Sequence, residues 1–221
     1  MEVVYAYIDG YNLYYAIKEK NWNKYLWLDV PKLLACFLKP HQELKFVYYF
    51  TSSSRKPDSS KRQITYNEAL ETNSIVNLLG FKIIRGRLES DPVKCLVCNK
   101  AVICDNCGEP QIFMHEKETD VNIANQMLLD AHNEQFETAL LITADSDQAG
   151  TVRIIRETFK KSVIVIFPPD RESDRLKEES GNNFRRIKEK HLISCQLPDL
   201  IIKPNRVHLL RPPEWSDLSR R

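Results

Sequence analysis

Residues 3–10 have the sequence VVYAYIDG, and this stretch decides the fold. The apolar run from Val3 to Ile8 ends at Asp9 and Gly10. An uninterrupted apolar run of this length is typical of a strand buried on both faces, as in a parallel sheet. We therefore predict a central strand over this run, followed by a helix from about residue 11 to residue 20.

Four further apolar stretches alternate with segments of helical pattern. These predicted strands cover 44–51, 81–87, 139–143 and 162–167. Helices are predicted at about 30–38, 60–79, 119–132 and 148–160, and a last short strand at 192–197. The third strand is the weakest and is expected at the sheet edge. The predicted fold class is α/β, with a parallel central sheet between two layers of helices.

Composition and charge limit the possible function classes. Of the 221 residues, 43% are hydrophobic and 28% are charged, and the formal net charge is +2. Bulk charge therefore does not indicate a nucleic-acid-binding protein, and a basic surface must come from local placement. The chain has no P-loop and no G-x-G-x-x-G motif, which disfavours enzymes with nucleotide cofactors. Without a signal-peptide pattern or a membrane-length apolar run, we expect a soluble cytoplasmic protein with no membrane partner.

Residues 91–116 break the α/β pattern and contain four of the six cysteines in two C-x-x-C pairs, Cys95, Cys98, Cys104 and Cys107. Four thiolates in such pairs favour tetrahedral structural zinc; a disulfide and a redox dithiol are the alternatives. Cys36 and Cys195 lie in apolar segments and are predicted to be buried thiols. We assign 1–200 to the main domain with this insertion, and 201–221 to an extended tail.

Four aspartates follow or precede predicted elements where parallel sheets bind ligands. Asp9 ends the first strand, Asp145 and Asp147 follow the fourth, and Asp120 begins the apolar face of the helix 119–132. Each aspartate alone is also explained as a helix cap. Together, four neighbouring carboxylates repel one another and need a cation or large pKa shifts. The pattern predicts a site for a hard cation such as Mg²⁺, suited to phosphodiester hydrolysis.

Basic residues near the same edge are candidates for phosphate binding. Arg55 and Arg62 lie in or just after the loop that follows the second strand, and Arg85 ends the third strand. Scattered solvated charges are an equally good interpretation of each of them.

Several motifs together resemble the NYN domain family of PIN-like nucleases, and a bacterial branch of it in particular. They are IDGYNLYY at 8–15, WLD at 27–29, EKETDVNIA at 116–124, TADSD at 143–147, SCQLPD at 194–199 and PPEW at 212–215. The resemblance spans nearly the whole chain, and the three acidic motifs are specific in combination. Glu118 and Ala144 stand where the branch has glycine, and Gln148 where an apolar residue is common.

The resemblance implies a PIN-like sheet of order 3-2-1-4-5 and a Mg²⁺ or Mn²⁺ site with ribonuclease activity through a metal-activated water. Carried over by position, the metal ligands would be Asp9, Asp120, Asp145 and Asp147. Asn12 would orient a ligand or contact phosphate, Ser146 and Thr143 would hydrogen-bond the carboxylates, and Lys117 would contact substrate. The partner is expected to be single-stranded RNA, and a homodimer is possible. The alternatives are a non-catalytic RNA-binding scaffold and a metal-dependent phosphohydrolase acting on small molecules.

Overall fold

A computed structural model describes residues 1–52, 57–76 and 79–216. The strands are β1 (Glu2–Asp9), β2 (Gln42–Ser52), β3 (Gly80–Pro92), β4 (Ile112–Lys117), β5 (Thr138–Ile142), β6 (Ser162–Phe167), β7 (Phe184–Arg186), β8 (Leu200–Ile202) and β9 (His208–Leu210). The helices are α1 (Gly10–Glu19), α2 (Val30–Ala35), α3 (Pro57–Val76), α4 (Thr119–His132), α5 (Ala149–Glu157), α6 (Asp174–Glu179) and α7 (Glu189–Ser194). None of the helices in these ranges combines the length and apolarity that crossing a bilayer requires.

The central sheet has seven strands in the order β4-β3-β2-β1-β5-β6-β7, with β1 at its centre. All neighbouring pairs are parallel except β3 and β4. The α/β class and the mostly parallel sheet are confirmed. The predicted five-strand order 3-2-1-4-5 corresponds to β3-β2-β1-β5-β6 of the structure. It is incomplete, because β4 extends the sheet at one edge and β7 at the other. The third strand is therefore not at the edge.

Two hydrophobic cores lie on opposite faces of the sheet, which explains the unbroken apolar run of β1. Val4, Ala6 and Ile8 pack on one face with residues of α1, α2 and α3. Tyr7 packs on the other face with residues of α4 and α5, and its hydroxyl donates to buried Asp130 at 2.8 Å. Because both faces of β1 are buried, its end is held rigidly, and Asp9 is the residue at that end.

Residues 93–111 form the insertion, which is shorter than predicted because β3 continues to Pro92 and pairs antiparallel with β4. At its tip, two C-x-x-C turns have the same backbone geometry. The Asn99 amide donates to the Cys95 carbonyl at 2.8 Å, and the Gly108 amide donates to the Cys104 carbonyl at 2.9 Å. Both Asn99 and Gly108 have positive φ, of 57° and 72°. The insertion is thus a β-hairpin that ends in two equivalent cysteine turns.

Two sequence predictions about the carboxyl-terminal part are wrong. The segment 192–197 was predicted as a strand, but α7 ends at Ser194 and only a single bridge joins Gln196 to Leu28. The extended tail from residue 201 is instead folded through residue 216. Within it β8 pairs with β9, and Trp215 is 6% exposed, with its ring 6.4 Å from that of Trp27. Residues 217–221 lie outside the described residues.

Candidate active site

Asp9 lies at the carboxyl end of β1 and is only 5% exposed. One carboxylate oxygen accepts from the Asn12 amide at 2.9 Å, so Asp9 caps α1. The other accepts from the Thr143 hydroxyl at 2.9 Å. Burial raises the pKa of Asp9, with a smaller contribution from the charge of Asp145, and the two hydrogen bonds oppose the shift. Asp9 therefore both caps α1, which was the alternative role, and has a raised pKa.

Thr143 links Asp9 of β1 to the segment that follows β5. Its hydroxyl donates to Asp9 and accepts from the Asp145 amide at 3.1 Å. Asp145 in turn accepts from the Asp147 amide at 2.9 Å and caps a short 3-10 turn over Ser146–Gln148. Since β1 and β5 are adjacent and parallel, this hydroxyl joins the Asp9 carboxylate to the backbone of Asp145.

Asp120 lies in the first turn of α4, whose buried residues include Ile123, Met127 and Ala131 as the sequence predicted. Its pKa is raised to about 6, first by burial and then by the charges of Asp145, Asp9 and Asp147. The residue is exposed, yet its carboxylate is partly desolvated and lies within the field of three other carboxylates. The structure therefore brings the four predicted aspartates into one electrostatic group.

Asn12, Ser146 and Gln148 complete this edge. The Asn12 side chain accepts from the Ala144 amide at 3.3 Å and so joins α1 to the segment after β5. Ser146 is half-buried in the 3-10 turn between Asp145 and Asp147. Gln148 is buried and donates to the Asp120 carbonyl at 3.0 Å, which fastens α4 to the same turn. The sequence indicates this role only by a polar residue at position 148, where the family commonly has an apolar one.

Two substitutions of family glycines have different structural consequences. Glu118 has φ of 81°, in the left-handed region that favours glycine, and its carboxylate pairs with Arg87 at 3.1 Å. Ala144 is not among the residues with positive φ, so alanine meets no backbone restriction there. The turn before Asp120, rather than the turn before Asp145, therefore carries the unfavourable conformation.

Two of the four basic residues predicted to bind substrate are paired with acidic partners. Lys117 pairs with Glu89 at 2.6 Å, and Arg62 pairs with Glu214 at 2.7 Å. Arg85 is exposed on β3 beside Thr51 of β2. Arg55 lies outside the described residues.

Arg171 is a basic residue of this edge that the sequence analysis missed. It follows the carboxyl end of β6, and its guanidinium donates to the Asn12 carbonyl at 3.4 Å and to Glu19 at 2.7 Å. Ligands of parallel sheets bind beyond the carboxyl ends of the strands, and Arg171 follows the fifth predicted strand. Its position in the sequence could therefore have indicated a role at this edge.

In the described part of the chain, no three acidic, histidine or cysteine side chains are close enough together to enclose a metal ion. The four carboxylates are thus neighbours rather than a closed set of ligands.

Within the insertion, the members of each C-x-x-C pair interact, and backbone amides of residues 97 and 98 lower the pKa of Cys95. Amides of residues 106 and 107 lower that of Cys104 in the same way. Cys36 is exposed rather than buried as predicted, while Cys195 is buried.

The NYN domain model matches residues 4–187, so the chain belongs to the NYN domain family. The chain is 27% identical over 238 residues to the 6-hydroxy-3-succinoylpyridine 3-monooxygenase HspA of Pseudomonas putida, covering 95% of this chain and 74% of that protein. A solved structure of a protein of unknown function from Vibrio parahaemolyticus has a TM-score of 0.51 at 19% identity. The similarity covers 85% of this chain and 94% of that one, and shows a shared fold.

Replacement of Asp120 by asparagine is expected to stabilise the protein at neutral pH when no divalent cation is present. With a pKa of about 6 in the folded state against 3.8 ordinarily, the folded protein retains a proton that the unfolded chain loses. Stability therefore falls as pH rises through this window, and the loss persists above pH 6. Because solvent screens the exposed carboxylate, we expect a gain of about 1 kcal/mol at pH 7.5 and none at pH 3.5.

The measurement is urea unfolding of Asp120→Asn at both pH values, with Glu157→Gln as a matched control because Glu157 is exposed on α5. Equal effects of the two substitutions at pH 7.5 would contradict the expected repulsion at Asp120.

Proposed function

We propose that this protein is a Mg²⁺- or Mn²⁺-dependent endoribonuclease that hydrolyses single-stranded RNA. The observation that carries the proposal is the proximity of Asp120 to Asp9, Asp145 and Asp147, where burial first and then the three negative charges raise its pKa to about 6. Four carboxylates held at one sheet edge destabilise a cation-free protein and favour a bound cation. Membership of the NYN domain family supports a nuclease-like fold.

The donor set fits a hard divalent cation, because all four side chains offer carboxylate oxygens. Asp9, Asp120, Asp145 and Asp147 would hold the ion, directly or through water. When bound, it would supply charge neutralisation at the phosphate and a lower pKa for an attacking water.

The protein's own contribution is to position the carboxylates and the phosphate. Thr143 holds Asp9 and the Asp145 backbone in a fixed relation, and Gln148 holds the first turn of α4 against the 3-10 turn. We assign phosphate contacts to Asn12 and Ser146 on this edge. Lys117, Arg62 and Arg85 are proposed to contact the RNA backbone, and the first two would exchange a carboxylate partner for a phosphate.

The experiment is cleavage of a labelled single-stranded RNA with Mn²⁺, with Mg²⁺ and without added divalent cation. Cleavage that depends on the cation supports the proposal. RNA binding without cleavage under any condition would replace it with the scaffold function. Turnover of nucleotides or phosphate esters, with intact RNA, would replace it with a small-molecule phosphohydrolase.

A second candidate is oxygenation of a small molecule, because the similarity to the monooxygenase covers 95% of this chain. Its test is oxygen consumption with 6-hydroxy-3-succinoylpyridine, the compound in that protein's name, in the presence of a two-electron reductant, which the stoichiometry of a monooxygenase reaction requires. Oxygen uptake coupled to loss of this compound, together with intact RNA, would favour it over the nuclease.

We also propose that Cys95, Cys98, Cys104 and Cys107 bind one structural zinc ion. The support is the repeated geometry of the two C-x-x-C turns and the backbone amides directed at Cys95 and Cys104, which favour the thiolate forms. A site with four thiolate ligands has no open position, so its role is to hold the tip of the hairpin together.

Purified protein is expected to contain about one zinc ion per chain, and Cys104→Ser is expected to lose most of it because structural zinc needs all four ligands. The measurement is elemental analysis of protein purified without added metal. Cys36→Ser is the matched control, since this exposed cysteine lies outside the insertion. Undiminished zinc in Cys104→Ser would contradict the assignment.

A further inference from the structure

A cavity of about 500 Å³ lies at the β7 edge of the fold, between the segment that follows α2 and the segment formed by β7 and α7. Its lining includes none of the four aspartates. β7 is three strand spacings from β1, about 14 Å, so this cavity is a different site from the carboxylate edge. The volume lies within the range of about 300–1,000 Å³ that is usual for sites of small molecules.

The lining of the cavity is strongly basic and contains no acidic residue. It includes five cations, Lys39, Arg185, Arg186, Lys188 and Lys190. Arg186 pairs with Glu172, which lies outside the lining. The other four form no ion pair with a carboxylate anywhere in residues 1–52, 57–76 and 79–216. The cavity therefore carries uncompensated positive charge and favours an anionic ligand.

Two rings in mutual contact stand among these cations: Phe37 meets His191 edge to face, with centroids 5.1 Å apart. The third ring of the lining, Phe184, packs with Phe167 on the core of the other sheet face, and the Arg186 guanidinium covers it at 4.9 Å. Burial, and then the charges of Lys190 and Lys188, lower the pKa of His191 and so favour its neutral imidazole form. Rings flanked by cations provide stacking for a base and ionic contacts for a phosphate.

We propose that this cavity binds a nucleotide unit of a single-stranded RNA, with the phosphate among Arg185, Lys188 and Lys190 and the base against Phe37 and His191. The choice of RNA rests on the proposed function. A free nucleotide has the same chemistry, and the experiment distinguishes the two sources. The cavity would hold the strand at a fixed distance from the carboxylates, so its contribution is to RNA binding rather than to the chemical step.

The first measurement is fluorescence anisotropy of a labelled 20-nucleotide RNA, without added Mg²⁺ or Mn²⁺ so that no cleavage occurs. The double variant Arg185→Glu with Lys190→Glu is expected to bind about tenfold more weakly or worse. The matched control is Lys160→Glu with Arg206→Glu, two exposed residues outside the lining that change the net charge equally. It should bind within about twofold of wild type. Equal losses in both variants, or no loss in the first, would overturn the proposal.

The second measurement uses the unmodified protein and does not depend on the folding of a variant. Cys36 is exposed and lines the cavity. RNA is expected to slow the alkylation of Cys36 by a maleimide about fivefold. The rate is measured by mass spectrometry of the peptide that contains Cys36. Equal protection by a nucleoside monophosphate at the same nucleotide concentration would overturn RNA as the ligand, and no protection would overturn the site. Neither measurement involves cleavage, so failure of the nuclease proposal is detected separately.

Discussion

Asp9→Asn is expected to reduce metal-dependent RNA cleavage by about 10³-fold, which corresponds to about 4 kcal/mol of lost transition-state stabilisation. The substitution removes one negative charge from the group of four carboxylates. Asparagine also has an NH2 group in place of one of the two carboxylate oxygens. Depending on its orientation, this NH2 group faces either the Thr143 hydroxyl or the Asn12 amide, and that contact is lost. Either change alters the geometry that Thr143 imposes on Asp145.

The fold should survive this substitution, because asparagine caps helices about as well as aspartate. Burial disfavours the charged form of Asp9, as its raised pKa indicates, so the variant should be no less stable than wild type without added cation. Initial rates on labelled RNA and thermal unfolding measure the two properties on the same sample. Asp174→Asn is the matched control, because Asp174 is exposed on α6 and forms a surface ion pair with Lys177. Retention of more than half of the wild-type rate in Asp9→Asn would refute the role assigned to this carboxylate.

Trp215→Ala is expected to destabilise the protein by about 3 kcal/mol and to lower Tm by about 10 °C. The Trp215 ring is 6% exposed and lies 5.8 Å from the ring of Tyr66 on α3 and 6.4 Å from that of Trp27. Truncation leaves a cavity between the main domain and the segment that closes over it. The neighbouring Glu214 also pairs with Arg62 of α3, so the same segment is held by charge at the surface.

Differential scanning calorimetry of Trp215→Ala measures this loss. Leu210→Ala is a suitable control, because Leu210 is on β9 of the same segment but is 62% exposed. A change in Tm of less than about 2 °C for Trp215→Ala would mean that residues 201–216 do not contribute to the core as the packing indicates.

The sequence predicted the features that depend on short-range pattern. The apolar run of β1 with Asp9 at its end is confirmed as local structure, and so is the helical spacing that buries Ile123, Met127 and Ala131 on one side of α4, although Asp120 itself is exposed. Strand ends in a parallel sheet share one edge, so the approach of Asp9 and Asp145 followed from the class of fold.

The features that were missed depend on contacts between distant residues. Lys117 and Arg62 were expected to be available for phosphate, but their partners Glu89 and Glu214 are brought near only by the folded hairpin and the carboxyl-terminal segment. The segment 192–197 has enough apolar residues for a strand, yet packing of Leu192 and Cys195 against the core favours a helix turn there. Local propensity is a weak guide where tertiary packing decides.

The adjacency of β1 and β5 has a consequence for synthesis and for proteolysis of the chain. The contact that joins these strands at the site is between Asp9 and Thr143, which are 134 residues apart in the sequence. A nascent chain or an amino-terminal fragment that ends before β5 contains Asp9 and Asp120 but lacks both Thr143 and the second pair of aspartates. The set of four neighbouring aspartates is therefore incomplete until at least residue 147 has been added. Its formation also depends on the pairing of strands that are distant in sequence, which is slow in folding.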